Sequence, residues 1–358
     1  MSWILGPCSA ESEEQVLQSA RVVAPYLRNG YFRAGVWKPR TRPDAFEGMG
    51  ERAFEWLQKA KKESGVRILT EVAQPEHAEL ALRYDVDAVW IGARTTVNPF
   101  YVEAIAEALR GTKVPVFVKN PVNPDIGLWI GAFERLEKKG LVAGGAVHRG
   151  FSGYGRSFYR NPPHWEIPID LKRQMPELPL YCDPSHISGD RDRVKDVAQR
   201  AIDLDMDGLM VEVHPDPERA RSDADQQVSP KGLEDLNQNL AFRQGNPPDP
   251  VTRDRLEDLR AMIDEIDHRI VQELASRMDI AERIGEHKKE KEIRILQLDR
   301  WERILQDRKA LGEALGLSPE FLQEFLDAVH KGSIKRQMGI MYEGDKKEEK
   351  GQDTASSE

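Results

Sequence analysis

Leu178-Pro179-Leu180-Tyr181-Cys182-Asp183-Pro184-Ser185-His186 sets the pattern by which most of the chain reads: a short apolar run stopped by an acid, a proline, a hydroxyl and an imidazole. Working outward, the same unit recurs. Apolar runs stand at Trp3–Pro7, Tyr31–Trp37, Val66–Val72, Asp87–Gly92, Val114–Val118, Leu141–Val147, Leu178–Cys182 and Gly208–Val213. Helix-length amphipathic stretches such as Gly50–Glu63, Pro75–Tyr84, Pro99–Arg110 and Arg191–Asp203 lie between them. Strand–helix alternation predicts a parallel sheet with crossover helices. Eight such units in about 220 residues fit an α/β (β/α)8 barrel, for which roughly 250 residues is typical. The alternative, an open doubly wound sheet, usually has fewer strands, and no G-x-G-x-x-G follows the first run.

Polar residues gather just after the runs, where a barrel places them all on one rim and where active sites of that fold are built. Lys38, Arg40, Arg94, Lys119 and Arg149 follow the second, fourth, fifth and sixth runs. Any one of them alone reads as a solvated surface charge. Five together would repel one another without anions between them, and arginine pairs with phosphate in bidentate fashion. The expected ligand therefore carries more than one phosphate or carboxylate. Cys8, His186, Glu212 and Asp223 form a second group. Thiolate, imidazole and two carboxylates suit one divalent metal ion per barrel, manganese, iron, cobalt or zinc, with no choice among them from the donor set. Cys182 competes for the thiolate role but lies within an apolar run, which favours a core position.

The balance of 52 basic against 61 acidic side chains, net −9, argues against a nucleic-acid binder, which needs a basic footprint. No window approaches the roughly 18 uninterrupted apolar residues of a membrane span, and no secretory signal precedes the first run. Two cysteines make no disulfide framework. A cytoplasmic protein is expected, free of nucleic-acid and membrane partners.

Residues 1–235 resemble the type I-beta branch of 3-deoxy-D-arabino-heptulosonate-7-phosphate (DAHP) synthase, the first enzyme of the shikimate pathway of aromatic amino acid biosynthesis. The motifs are Gly6-Pro7-Cys8-Ser9, Lys38-Pro39-Arg40-Thr41, Ile91-Gly92-Ala93-Arg94, Val118-Lys119, His148-Arg149-Gly150, Asp183-Pro184-Ser185-His186, Val211-Glu212-Val213-His214 and Ser222-Asp223, in order along the barrel. The related sugar-octulosonate phosphate synthase has a Lys-Ala-Asn-Arg type stretch where Lys38-Pro39-Arg40-Thr41 stands. The resemblance implies condensation of phosphoenolpyruvate with erythrose 4-phosphate, releasing phosphate. It implies metal ligation by Cys8, His186, Glu212 and Asp223, and a phosphoenolpyruvate site of Arg94, Lys119 and Arg149. Lys38 would lie between the substrates, with Lys119 and Lys38 catalytic, and Arg40 with Thr41 would take the erythrose phosphate. The family's frequent N-terminal regulatory extension has no counterpart before the run at residue 3, so regulation is expected from elsewhere in the chain.

Composition shifts over 236–253, where Gly245-Asn246-Pro247-Pro248-Asp249-Pro250 reads as a stiff, extended linker. Asp254, with Glu257 three residues on, is the expected start of a helix. From Leu256 the apolar residues step by three and four through Leu259, Ile263, Ile266, Ile270 and Leu274, and the stepping continues through Arg277, Ala281, Ile284 and Lys288. Two cations on the core-facing stripe, about 16 Å and 20° apart by helical geometry, predict a buried anionic ligand rather than snorkelling ends. A helix of about 35–40 residues is long for a monomeric globule and points to pairing between chains. Further helices are expected over Leu296–Leu311 and from Ser318-Pro319, giving a three-helix all-α domain over 254–340. The polar tail 344–358 reads as disordered.

Residues 254–338 look like the all-helical chorismate mutase, which converts chorismate to prephenate. The resemblance places Arg260, Arg277, Lys288, Arg300 and Gln337 on the family's substrate-binding positions, with Lys288 and Gln337 catalytic at the ether oxygen. Arg260 and Arg277 are about 25 Å apart along one helix, so Arg260 would serve the partner's site in a homodimer. Gln297 stands where an Asp is usual and Trp301 where a Glu commonly contacts the substrate hydroxyl. Three readings follow: a bifunctional synthase and mutase; a synthase whose helical domain is mainly a chorismate- or prephenate-binding regulator and dimeriser; and a non-catalytic anion-binding barrel. Feedback from the mutase site onto the synthase is expected in the absence of another regulatory module.

Overall fold

The computed structural model describes residues 1–38, 46–153, 158–243 and 250–343. Arg40, Thr41, most of the Pro-rich linker and the 344–358 tail lie outside the described residues. Every apolar run contains a strand: β1 (Ser2–Gly6), β2 (Tyr31–Arg33), β3 (Ile68–Val72), β4 (Ala88–Ile91), β5 (Val116–Lys119), β6 (Ala143–His148), β7 (Leu180–Cys182) and β8 (Gly208–Glu212). All neighbours pair in parallel, and β1 pairs β8 from Ser2↔Gly208 to Gly6↔Glu212, which closes the barrel. Strand β2 is shorter than its apolar run, because beyond Arg33 the chain bends away through bridges at Gly35 and Trp37.

Among the described residues ten α-helices accompany these strands: α1 (Glu13–Val23), α2 (Arg52–Ser64), α3 (Pro75–Arg83), α4 (Ala93–Thr96), α5 (Pro99–Ala108), α6 (Ile126–Lys138), α7 (Glu166–Gln174), α8 (Pro184–Ser188), α9 (Val194–Asp203) and α10 (Pro230–Asn239). Their starts follow local chemistry. Ser12, Asn98, Asp125, Asp183 and Ser229 each accept a backbone N–H in the first turn, a contact worth about 0.5–2 kcal/mol. Proline occupies the first turn of α3, α5, α8 and α10, where its missing N–H costs nothing.

Successive strand residues face opposite sides of the sheet. One set, including Leu5, Phe32, Val89, Ile91, Val118 and Cys182, packs in the large core with the helices, so Cys182 is a core thiol. The alternate set, Ile4, Leu69, Trp90, Phe117, Tyr181 and Met210, forms a separate apolar cluster. The same two-residue step carries this inward face on to Arg33, Lys119, Asp183 and Glu212, all buried. The sheet thus has a dry floor and a charged ceiling at its C-terminal end. Gly6 shows how tightly the seam is drawn: at φ +145°, a Cβ there would meet the Arg33 carbonyl oxygen at 2.1 Å.

The chain divides into two compact units, Met1–Gly245 and Asn246–Glu358. In the second, α11 (Pro250–Glu290) runs for 41 residues and packs with α13 (Pro319–Glu343), which also contacts α12 (Leu298–Ala314). Two expectations about the linker need correction. Residues 236–239 belong to α10, whose Leu233 and Leu236 are buried. Helix α11 begins at Pro250, ahead of Asp254, since proline is accommodated in a first turn. No helix among the described residues is long and apolar enough to cross a membrane.

Candidate active sites

At the barrel mouth the loop after β7 builds one corner. Asp183 caps α8, its Oδ1 accepting the His186 N–H at 3.0 Å, while Gly189 at φ 68° closes the helix one turn later. That single turn turns His186 back over the barrel, with Nδ1 2.8 Å from Asp183 Oδ2 and 3.8 Å from Glu212 Oε1. Glu212, at the end of β8, takes Arg33 Nη2 at 3.0 Å and Gln226 Nε2 at 2.7 Å. Asp223 follows in the loop beyond β8, held in left-handed backbone at φ 47°. Its Oδ2 meets Cys8 Sγ at 3.2 Å and Lys38 Nζ at 3.1 Å. The buried backbone N–H of Cys8 donates to Gln227 Oε1 at 2.9 Å.

Electrostatics bind these groups into one cluster. Burial, then the Glu212 charge, pushes the Cys8 thiol far above its ordinary range. Burial drives His186 down to about 4, against the pull of the Asp183 charge. Asp183 stays well below the usual carboxylate range although it is buried, because His186 and Lys119 outweigh desolvation. Burial likewise opposes the charge on Lys38, and the surrounding anionic groups more than restore it.

The four candidate ligands fall into two close pairs, Cys8 with Asp223 and His186 with Glu212. Among the described residues no three His, Cys, Asp or Glu side chains form a ready-made cation cluster. The donor chemistry nevertheless fits a divalent ion, since a thiol, an imidazole and two carboxylates are what such an ion takes, and Asp183 Oδ2 beside His186 Nδ1 fixes the orientation of that ring.

The cations lie around the same mouth. Lys119 Nζ sits 2.7 Å from Asp183 Oδ2 and 5.6 Å from the Trp90 ring centre; burial lowers its pKa. Arg149 is pushed down to about 10 by burial, with Arg160 and Arg94 adding to the effect. Arg94 itself is exposed on α4. Sequence reasoning missed Arg33 and the structural part played by Asp183. Arg33 lies 3.9 Å from Asp183, and Trp90 is beneath its guanidinium at 5.0 Å. Its signal was a charged residue inside an apolar run, two positions after Tyr31 and thus on the same face.

In the helical unit, α11, α12 and α13 enclose a cavity of about 260 Å³ whose lining includes Arg277, Lys288, Gln297, Arg300, Trp301, His330, Ser333 and Gln337. Arg260 is exposed on α11 and is not in that lining. Arg277 donates to the Ser333 hydroxyl, and Lys288 Nζ to the Ile295 carbonyl at 2.7 Å. Burial lowers the pKa of both cations. Among the described residues no acidic side chain lines the cavity, and none gives the buried Gln337 Oε1 a hydrogen bond. Trp301 lies flat on His330, ring centres 3.9 Å apart. Ser333 and His330 were not singled out from sequence. Their three-residue spacing on α13, shared at a four-residue step with Gln337, is the signal that would have found them.

A closed eight-stranded barrel with buried charge concentrated at the C-terminal mouth is the architecture of a (β/α)8 enzyme. Residues 1–242 match the model of the DAHP synthetase I family, and the chain belongs to that family. Residues 259–338 match chorismate mutase type II, so enzymes of two families, a transferase and an isomerase, are fused in one chain. The chain is 30% identical over 237 residues to phospho-2-dehydro-3-deoxyheptonate aldolase of Thermotoga maritima, covering 66% of this chain and 68% of the relative. A 2-dehydro-3-deoxyphosphooctonate aldolase of Helicobacter pylori is 28% identical, covering 65% of this chain and 91% of the relative. The crystal structure of the Thermotoga DAHP synthase superposes with a TM-score of 0.60 at 29% identity, covering 66% of this chain and 67% of that one.

Proposed function

We propose that the barrel condenses phosphoenolpyruvate with erythrose 4-phosphate to DAHP and phosphate, and that the helical unit rearranges chorismate to prephenate. The observation that carries the first part is the meeting, at one mouth, of Cys8, His186, Glu212 and Asp223 with Lys38, Lys119 and Arg149. In this reading the four donors hold a divalent ion, which polarises the aldehyde oxygen when bound. Arg94, Lys119 and Arg149 hold the phosphoenolpyruvate phosphate and carboxylate, and the buried Arg33 Nη1, which has no hydrogen-bond acceptor, faces the same mouth. Lys38 stays charged and donates to the oxygen that gains charge as the methylene carbon attacks. Water then adds at the enol carbon, and the C–O bond to phosphate breaks. Arg40 and Thr41 are proposed for the erythrose phosphate on sequence alone.

In the helical unit, Arg277 and Arg300 take the carboxylates while Lys288 and Gln337 face the ether oxygen, where negative charge develops. The acid-free cavity supports a dianionic ligand. Gln297 and Trp301 on the same wall favour a second reading, a binding regulator with little turnover. The test is one preparation, stripped by chelator and titrated with manganese, iron, cobalt or zinc, in which loss of phosphoenolpyruvate and of chorismate are followed side by side. Metal-dependent phosphoenolpyruvate loss that requires erythrose 4-phosphate is expected, with chorismate loss indifferent to metal. Phosphoenolpyruvate binding without phosphate release would instead leave a non-catalytic barrel.

A homodimer through the helical unit belongs to the same proposal. Leu259, Met262, Ile263, Ile266 and Ile270 are 44–60% exposed along one half of α11, and fully burying each such side chain is worth about 1.5–3 kcal/mol. Changing Ile263→Glu is expected to convert a dimer to a monomer in sedimentation velocity; a dimer that persists undiminished in that variant refutes this interface.

A further inference from the structure

One dipeptide, between β6 and α7, touches both halves of the barrel site. Asn161 is buried, 7% exposed. Its Oδ1 accepts Arg149 Nη1 at 2.7 Å, and its Nδ2 donates to the His186 carbonyl at 2.6 Å. Its own N–H donates to the Ile187 carbonyl at 3.2 Å. One amide is thus committed at one end to a phosphate-side cation and at the other to the helix that carries His186.

Arg160 makes the companion link. Its Nη1 donates to Asp223 Oδ1 at 3.1 Å and to Gln226 Oε1 at 2.6 Å, while Gln226 Nε2 donates to Glu212 Oε2 at 2.7 Å. Its N–H reaches the Ser188 carbonyl at 3.3 Å. The stem lies on Gly189, where an added Cβ would come within 2.4 Å of Arg160 Cβ. Two adjacent residues therefore contact three of the four proposed metal ligands, directly, through the helix backbone or through one glutamine.

We infer that Arg160 and Asn161 are positioning residues that couple the phosphoenolpyruvate cations to the metal-ligand group, so that filling either half tightens the other. The inference rests on the proposed assignment of those two halves. When Arg149 pairs with an anion its position is fixed, and with it the amide that holds the His186 backbone. Part of the ordering cost of assembling the ligands is then met before the ion arrives. Such coupling is reciprocal by thermodynamic necessity.

The full chain is titrated calorimetrically with cobalt(II), with and without saturating phosphoenolpyruvate, and then with phosphoenolpyruvate with and without cobalt(II). Wild type is expected to gain affinity by about 5–150-fold, equally in both directions. Asn161→Asp keeps an acceptor for Arg149 but loses the donor to the His186 carbonyl. It should bind phosphoenolpyruvate alone more weakly than wild type, because the new carboxylate competes for Arg149, and the coupling, read as the ratio of affinities with and without cobalt(II), should fall below about 2-fold. Arg160 has a half-exposed side chain, so Arg160→Met should fold; its cobalt(II) affinity should fall about 10–100-fold, as when other outer partners of metal ligands are removed. Wild-type coupling that survives in Asn161→Asp, or that is absent from wild type, overturns the inference. Should ligand-free melting show Asn161→Asp unfolded, unchanged cobalt(II) affinity in Arg160→Met overturns it instead. A wild type that binds no cobalt(II) refutes the metal assignment itself, and the inference with it.

Discussion

Arg33→Met is expected to cost the barrel about 3–5 kcal/mol, the usual penalty for removing one member of a buried ion pair. Arg33 and its two partners, Glu212 and Asp183, are each at most 1% exposed. Loss of the guanidinium leaves Glu212 with the amide of Gln226 and the His186 imidazole, and leaves Asp183 with Lys119 and that same imidazole. Water cannot reach either carboxylate to make up the difference. Arg33→Lys keeps the charge but not the planar fork, and should fall between the two. Urea unfolding at unchanged slope is the measurement. A change under about 1 kcal/mol, ordinary for an exposed pair, would show that the guanidinium does not hold the ceiling of the barrel together.

The second large effect is expected in the helical unit. Lys288→Ala should lower chorismate turnover by about 10²–10³, the range for removal of one preorganised donor at a site of developing charge. Lys288 shares the cavity with Arg277 and Arg300 and is tethered to the Ile295 carbonyl. Turnover within about threefold of wild type, against an expectation of that size, would assign the cavity to binding rather than chemistry. Arg277→Ala then separates the two readings, because binding is lost in either case while only an enzyme also loses rate.

The fold was legible because most of the barrel's outward strand residues are apolar, and several runs end where the inward residue becomes polar. Trp90 to Arg94 and Phe117 to Lys119 carry that change in a few positions. Boundaries were less legible. Leu236 reads as linker when composition is averaged, yet Ser229 and Pro230 start a helix that buries it. Arg33 was hidden for the opposite reason: a cation flanked by Phe32 and Ala34 looks like an interruption in a strand, and only the closure of the barrel brings Glu212 to it from 179 residues away. Asn161 and Arg160 carry no local motif, since their meaning lies in Arg149 at the start of their own loop and in partners beyond β7 and β8. Ser333 and His330 became visible only once α13 was laid beside α11.

The division of each strand between a greasy outer face and a reactive inner one has a bearing on how such a molecule changes over generations. Neighbouring codons answer to different masters. Drift at Val89 or Val118 is judged by how well helices seat, while drift at Trp90 or Lys119 is judged by what happens at the rim. A lineage can therefore remodel its exterior packing without disturbing its reaction, or acquire a new reaction on an old exterior, by altering every second residue.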